Sequence, residues 1–129
     1  MPYQKNDNPS ILERKAAMLL DEGDILYVTE FSFPDLKSER GNLLRFDFAV
    51  FETPEDLEAE RPKFLIEMQG EQHYKQKFQT KEAFARQLAN DKRKRNYCNT
   101  KGYVLVAIPY TELNSMTLDS ILEQGRFFD

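Results

Sequence analysis

Residues 43–51, LLRFDFAVF, and residues 64–69, FLIEMQ, are two short runs of aliphatic, β-branched and aromatic residues, and each carries one carboxylate in its middle: Asp47 in the first, Glu67 in the second. Runs of this length and composition read as strands. Alternation by two then puts Phe64, Ile66 and Met68 on one face of the later strand and Leu65, Glu67 and Gln69 on the other. In the earlier strand it groups Phe46, Phe48 and Val50 against Arg45, Asp47, Ala49 and Phe51. Carboxylates are almost never fully buried unless they are paired or bind a cation. Two of them on neighbouring strands repel one another unless a divalent ion lies between. The alternative is a structural ion pair of Asp47 with Arg45 or with a base from a later helix. The stretch Gln69-Gly70-Glu71-Gln72-His73 adds polar side chains at the same strand end, which suits a site better than a core.

Working outward, Ser10 with Glu13 three residues on has the spacing of a capping box, and Leu12, Ala16 and Leu19 follow at helical period until Gly23. Residues 25–33, ILYVTEFSF, read as a strand ended by Pro34-Asp35, and the acidic segment 52–62 as a connection between strands. Residues 80–99 lack Gly and Pro and are predicted to form a long basic helix. Residues 103–108, YVLVAI, suit a strand buried on both faces. A short helix over 116–123, capped by Asn114 or Ser115, closes the chain at Gly125. The expectation is an α/β domain over 10–129 after a loose N-terminus at 1–9. In it an antiparallel meander of three strands is followed by a crossover helix that brings the last strand in beside the first part of a mixed sheet.

Composition narrows the chemistry. With one Cys and one His in 129 residues, the chain cannot build a disulfide or a zinc site of three or four N/S ligands. Cys98 reads as core, in keeping with a reducing, cytoplasmic setting, although a dyad with His73 is arithmetically open. No stretch approaches the ~20 apolar residues of a membrane helix. The net charge of −4 is uneven: 14 acids against 6 bases over 1–60, 8 against 12 over 61–129. Residues 72–101 hold nine bases and two acids. Such a segment is either a solvated helix face or a polyanion-facing surface, with Lys75, Lys77, Lys92, Arg93 and Arg95 as the nucleic-acid contacts. On the long helix Phe84, Leu88 and Cys98 define an apolar stripe, with Asp91 near its centre, Lys94 at one margin and Lys92 at the other.

These residues resemble a family. Leu44-Arg45-Phe46-Asp47-Phe48, then Leu65-Ile66-Glu67-Met68-Gln69-Gly70-Glu71-Gln72-His73-Tyr74, then Asp91, Lys94, Tyr97 and Cys98, and finally Ile108-Pro109-Tyr110 look like the PD-(D/E)XK nuclease superfamily. More closely, they are similar to its small bacterial and phage-encoded endonuclease-like members. The resemblance covers roughly residues 10–110. It implies a restriction-endonuclease-like αβββαβ core with a mixed central sheet flanked by helices, in a bacterial cytoplasm, and Mg²⁺- or Mn²⁺-dependent hydrolysis of DNA, duplex or branched. It further implies that Asp47 and Glu67 are metal ligands, with the Met68 carbonyl as a third, and that Glu13 matches an acidic position some members use to complete the site. Hard oxygen donors suit those ions. The departure is Gln69, where the superfamily usually has Lys; Lys94 is the candidate for a lysine supplied from the helix, with Lys92 second. His73 would assist proton transfer or contact phosphate. A homodimer would be the simple route to a double-strand break. Two alternatives stand beside a nuclease: a DNA-binding module of the same fold without chemistry, which Gln69 motivates, and an interaction factor that uses its acidic segment 52–60 against a basic partner.

Overall fold

A computed structural model describes residues 10–70 and 80–129. The chain runs α1 (Ile11–Glu22), β1 (Leu26–Lys37), β2 (Leu43–Phe51), α2 (Pro54–Glu58), β3 (Phe64–Gln69), α3 (Lys81–Lys101), β4 (Val104–Pro109), a 3-10 turn (Tyr110–Glu112) and α4 (Leu118–Gln124). The expected flexible residues 1–9 lie outside the described residues. Ser10 caps α1 by accepting from the Glu13 amide, and Leu12, Ala16 and Leu20 turn inward at intervals of four. The last helix starts two residues later than expected and is capped by Thr117, whose hydroxyl accepts from the Ser120 amide.

The four strands form one mixed sheet in the order β1-β2-β3-β4, antiparallel for the first two pairs and parallel between β3 and β4. The crossover through α3 therefore returns the chain to the open edge of β3, not to the first part of the sheet. In a β1-β2-β3 meander that edge is the nearest one that has no partner. Two further expectations are corrected. Strand β1 does not stop at Pro34 but continues to Lys37, because it is an edge strand whose register shifts between Ser32 and Lys37, and an edge tolerates a residue without an N–H. Strand β4 is less buried than expected: Val106 and Ile108 are buried in one core and Leu105 packs, partly buried, against the other, while Ala107 is exposed.

One core lies between the sheet and the α1/α4 layer, built from Leu12, Ala16, Leu20, Phe48, Val50, Phe64, Ile66, Val106 and Ile121 among others. The second, on the other face, gathers Phe31, Phe33, Phe46, Ala49, Phe51, Leu65 and Cys98 beneath α3. Phe46 thus does not share a face with Phe48 and Val50. The inward residues of β2 go from Phe51 and Ala49 to Phe46 and Leu44, and those of β1 from Leu26 and Val28 to Phe31 and Phe33, so both strands change parity at one place. The ladder pairs Thr29↔Phe48 and Phe31↔Phe46 flank that place, where Glu30 faces Asp47. Glu30 has φ +54°, a left-handed conformation that costs a residue with a Cβ about 1–2 kcal/mol. The sheet is therefore irregular where two of its acidic residues meet.

Helix α3 is seated by its C-terminal half. Cys98 is its buried residue, and Tyr97 packs on Phe33. The stripe expected through Leu88 is rotated: Leu88 is 47% exposed, and Gln87, Asp91 and Lys94 turn toward the sheet instead. The αL Gly102 ends the helix, donating to the Cys98 carbonyl.

Candidate functional site

The antiparallel ladder of β2 and β3 runs from Val50↔Phe64 to Phe48↔Ile66. At the next step the side chains take over from the backbone. The Met68 amide donates to Asp47 Oδ2 at 2.6 Å, and the Asp47 amide donates to Glu67 Oε1 at 3.1 Å. Each carboxylate is thus held by an N–H of the opposite strand, in an arrangement that fixes both rotamers without a loop. The second oxygen of Glu67 accepts from Lys94 Nζ at 3.1 Å, an ion pair whose side chains are only 14% (Lys94) and 10% (Glu67) exposed. The Lys94 ammonium also lies 5.6 Å from the centre of the Phe46 ring.

Asp47 faces a second group. One oxygen each of Glu13, Glu30 and Asp47 lies within 4.8 Å of the others, bringing α1, β1 and β2 together. Glu13 keeps its capping geometry as well, since Ser10 Oγ donates to Glu13 Oε1 at 3.2 Å. Glu13 therefore keeps its place at the helix cap while one of its oxygens joins the acidic group. Burial pushes the Asp47 carboxyl up to about 6, against the pull of the Met68 amide and with Glu13 adding to the rise. Burial likewise pushes Glu67 up to about 8, outweighing Lys94, and raises Glu30, where the Glu13 charge reinforces it. Several acids crowded into one place, each raised by lost hydration, are what an added cation would relieve. Glu13, Glu30 and Asp47 could hold a metal ion, and their oxygen donors are of the kind that hard divalent cations take; of the ligands the resemblance implied, Asp47 belongs to this group and Glu67 does not.

Glu13, Asp47 and Glu67 line a cleft of about 810 Å³ together with Met68, Arg86, Asn90, Asp91 and Lys94, whereas Glu30 is not part of that lining. Gln69 lines a smaller cavity of about 370 Å³ on the far side of Lys94, together with Arg95 and Tyr103. Of the expected nucleic-acid contacts, Lys92 is exposed and Arg95 lines the smaller cavity, while Arg93 donates to the Lys37 carbonyl at 3.3 Å and so leans on β1. His73, Lys75 and Lys77 lie outside the described residues. Cys98 is buried, and burial pushes its thiol up to about 11, as befits an inert core residue.

Two residues were missed by sequence reasoning. Glu30 sits in the middle of ILYVTEFSF, the same signal of a carboxylate in a core-grade strand that singled out Asp47 and Glu67. Arg86 is four and eight residues ahead of Asn90 and Lys94, a helical spacing that puts all three on one face toward the cleft. Among the described residues no helix is long and apolar enough to cross a membrane. Comparison of the chain with protein-family models, with curated proteins and with solved structures gives no match.

Proposed function

We propose that the chain is a nuclease of the PD-(D/E)XK kind, hydrolysing phosphodiester bonds of DNA with a divalent ion. The observation that carries this is the meeting of Glu13, Glu30 and Asp47, from three separate elements, beside an open cleft that Glu13, Asp47, Glu67 and Lys94 line. In this account those three carboxylates hold Mg²⁺ or Mn²⁺, with Glu67 and the Met68 carbonyl as the further oxygens at the same strand end. Bound there, the ion supplies a lowered pKa for a water ligand and a counter-charge for the scissile phosphate.

The chain's own part is positioning and electrostatics. The reciprocal amide bonds between β2 and β3 hold Asp47 and Glu67 in fixed directions, so no reorganisation is needed when substrate arrives. Lys94 carries the positive charge that Gln69 does not, and its ion pair with Glu67 keeps the ammonium at the cleft wall, where a phosphate oxygen gains negative charge. Arg86 on the same helix face binds a neighbouring phosphate. DNA is the substrate in this account, and a homodimer would bring two such sites together.

Supercoiled plasmid and circular single-stranded DNA, incubated with the protein and Mg²⁺ or Mn²⁺, test the proposal against EDTA, Asp47→Ala and Glu67→Ala controls. Cutting that needs the ion and both carboxylates is expected. Intact DNA of both forms under both ions refutes it, and salt-dependent DNA binding that survives Asp47→Ala without any cutting indicates a binding module instead.

A further inference from the structure

We infer that the cleft takes an unpaired stretch of DNA rather than an intact duplex; this rests on the nuclease account of the carboxylate floor. The two walls of the cleft differ in kind. One is the polar face of α3, with Arg86, Asn90 and Lys94 stacked four residues apart. The other is apolar and aromatic: Ile11 at the start of α1, 62% exposed, Tyr110 in the turn after β4, 36% exposed, and Leu113 just beyond it. The Ile108-Pro109-Tyr110 motif thereby gains a role, since Pro109 ends β4 and the turn that follows delivers the Tyr110 ring to the cleft.

A duplex presents phosphates and sugars to such a cleft and keeps its base faces stacked on one another, so an apolar wall would meet nothing it could cover. An unpaired strand presents both chemistries at once. Its backbone follows the cations of α3, and its bases lie against the aromatic side, the combination by which single strands are held without reading their sequence. With the phosphate to be cut over the carboxylates, Arg86 meets a flanking phosphate and Tyr110 stacks on a flanking base. The cleft has the volume of a small-ligand site, enough for a few nucleotides and too small to swallow a double helix.

Fluorescence anisotropy with a labelled oligodeoxynucleotide, free or annealed to its complement, in Ca²⁺ buffer and with gel controls for integrity, tests the inference. The single strand is expected to bind roughly tenfold or more tightly than the duplex. Tyr110→Ala should weaken single-strand binding by roughly 5- to 100-fold, the range of base–aromatic stacking, whereas Tyr110→Phe, which keeps the ring, should bind like the wild type. Arg86→Ala should flatten the logarithmic salt dependence by about 0.7, one phosphate contact on a single strand. Thermal unfolding of both Tyr110 variants checks that an exposed substitution leaves the fold in place. Duplex binding equal to or tighter than single-strand binding, with metal-dependent cutting intact, overturns the inference and spares the nuclease account. Tighter binding of the same sequence as RNA overturns the choice of DNA. Absence of binding and of cutting for every form overturns both.

Discussion

Replacing Lys94 by Met keeps most of the aliphatic stem and removes the charge, so it isolates what the ammonium does for Glu67. The consequence depends on pH, and the sign follows from the raised Glu67 carboxyl. Its folded value is about 8 against an ordinary 4.5, so the stability tied to it is fully present below about 4.5 and is lost as pH rises through the folded value. At about pH 6 the folded wild type carries Glu67 protonated, and so does the variant. The cost is then one hydrogen bond at 3.1 Å and the contact with Phe46, about 1–2 kcal/mol. At about pH 9 the wild type holds Glu67 ionised and paired, while Lys94→Met must keep a proton on it or bury a bare charge. Because the variant can keep that proton, the added cost is bounded by ionising the wild-type carboxyl about one pH unit above its folded value, and the stability gap between the two proteins should widen by about 1 kcal/mol from about pH 6 to about pH 9. Urea unfolding of both proteins in EDTA at the two pH values measures it. A gap that is the same at both, or larger at the acid end, would refute the ion-pair account of Lys94.

Glu30→Gly should raise stability in EDTA by about 1 kcal/mol, since glycine relieves the φ of +54° and removes one crowded acid, while weakening divalent-ion binding; Glu30→Ala, which keeps the backbone penalty, should show less of the gain in thermal unfolding. Gly125→Ala should destabilise by about 1–3 kcal/mol, because an added Cβ would stand 2.6 Å from the buried Phe64 ring, and a thermal midpoint equal to the wild type would show that this contact yields freely.

What could be seen in the sequence was whatever local pattern dictates. The strands at 43–51 and 64–69 follow from alternation and composition, and the structure has them with the same bounds. The long helix and the cap at Ser10 follow from capping chemistry and from the absence of breakers. The face shared by Phe46 was not legible, because period-two alternation assumes a regular ladder and the kink at Glu30 and Asp47 breaks it in both strands together. The place of β4, expected beside the first part of the sheet, was wrong for a different reason: YVLVAI satisfies a central or an edge position equally, and only the order of pairing decides. Asp47, Glu67 and Lys94 were readable as polar residues in apolar surroundings, and the structure brings them together. Glu30 carried the same signal and was passed over inside a strand that looked like plain core. The cleft-facing role of Arg86 depends on how α3 is rotated against the sheet, which its weak apolar stripe did not specify.

Calorimetric titration of the metal-free protein with Mn²⁺ decides whether Glu13, Glu30 and Asp47 together hold a divalent ion. One tight site per chain in the wild type, weakened at least tenfold in Glu13→Gln and in Glu30→Gln and abolished in Asp47→Asn with the fold retained, is the result predicted. Binding that is absent from the wild type, or unchanged when Asp47 is neutralised, would contradict it.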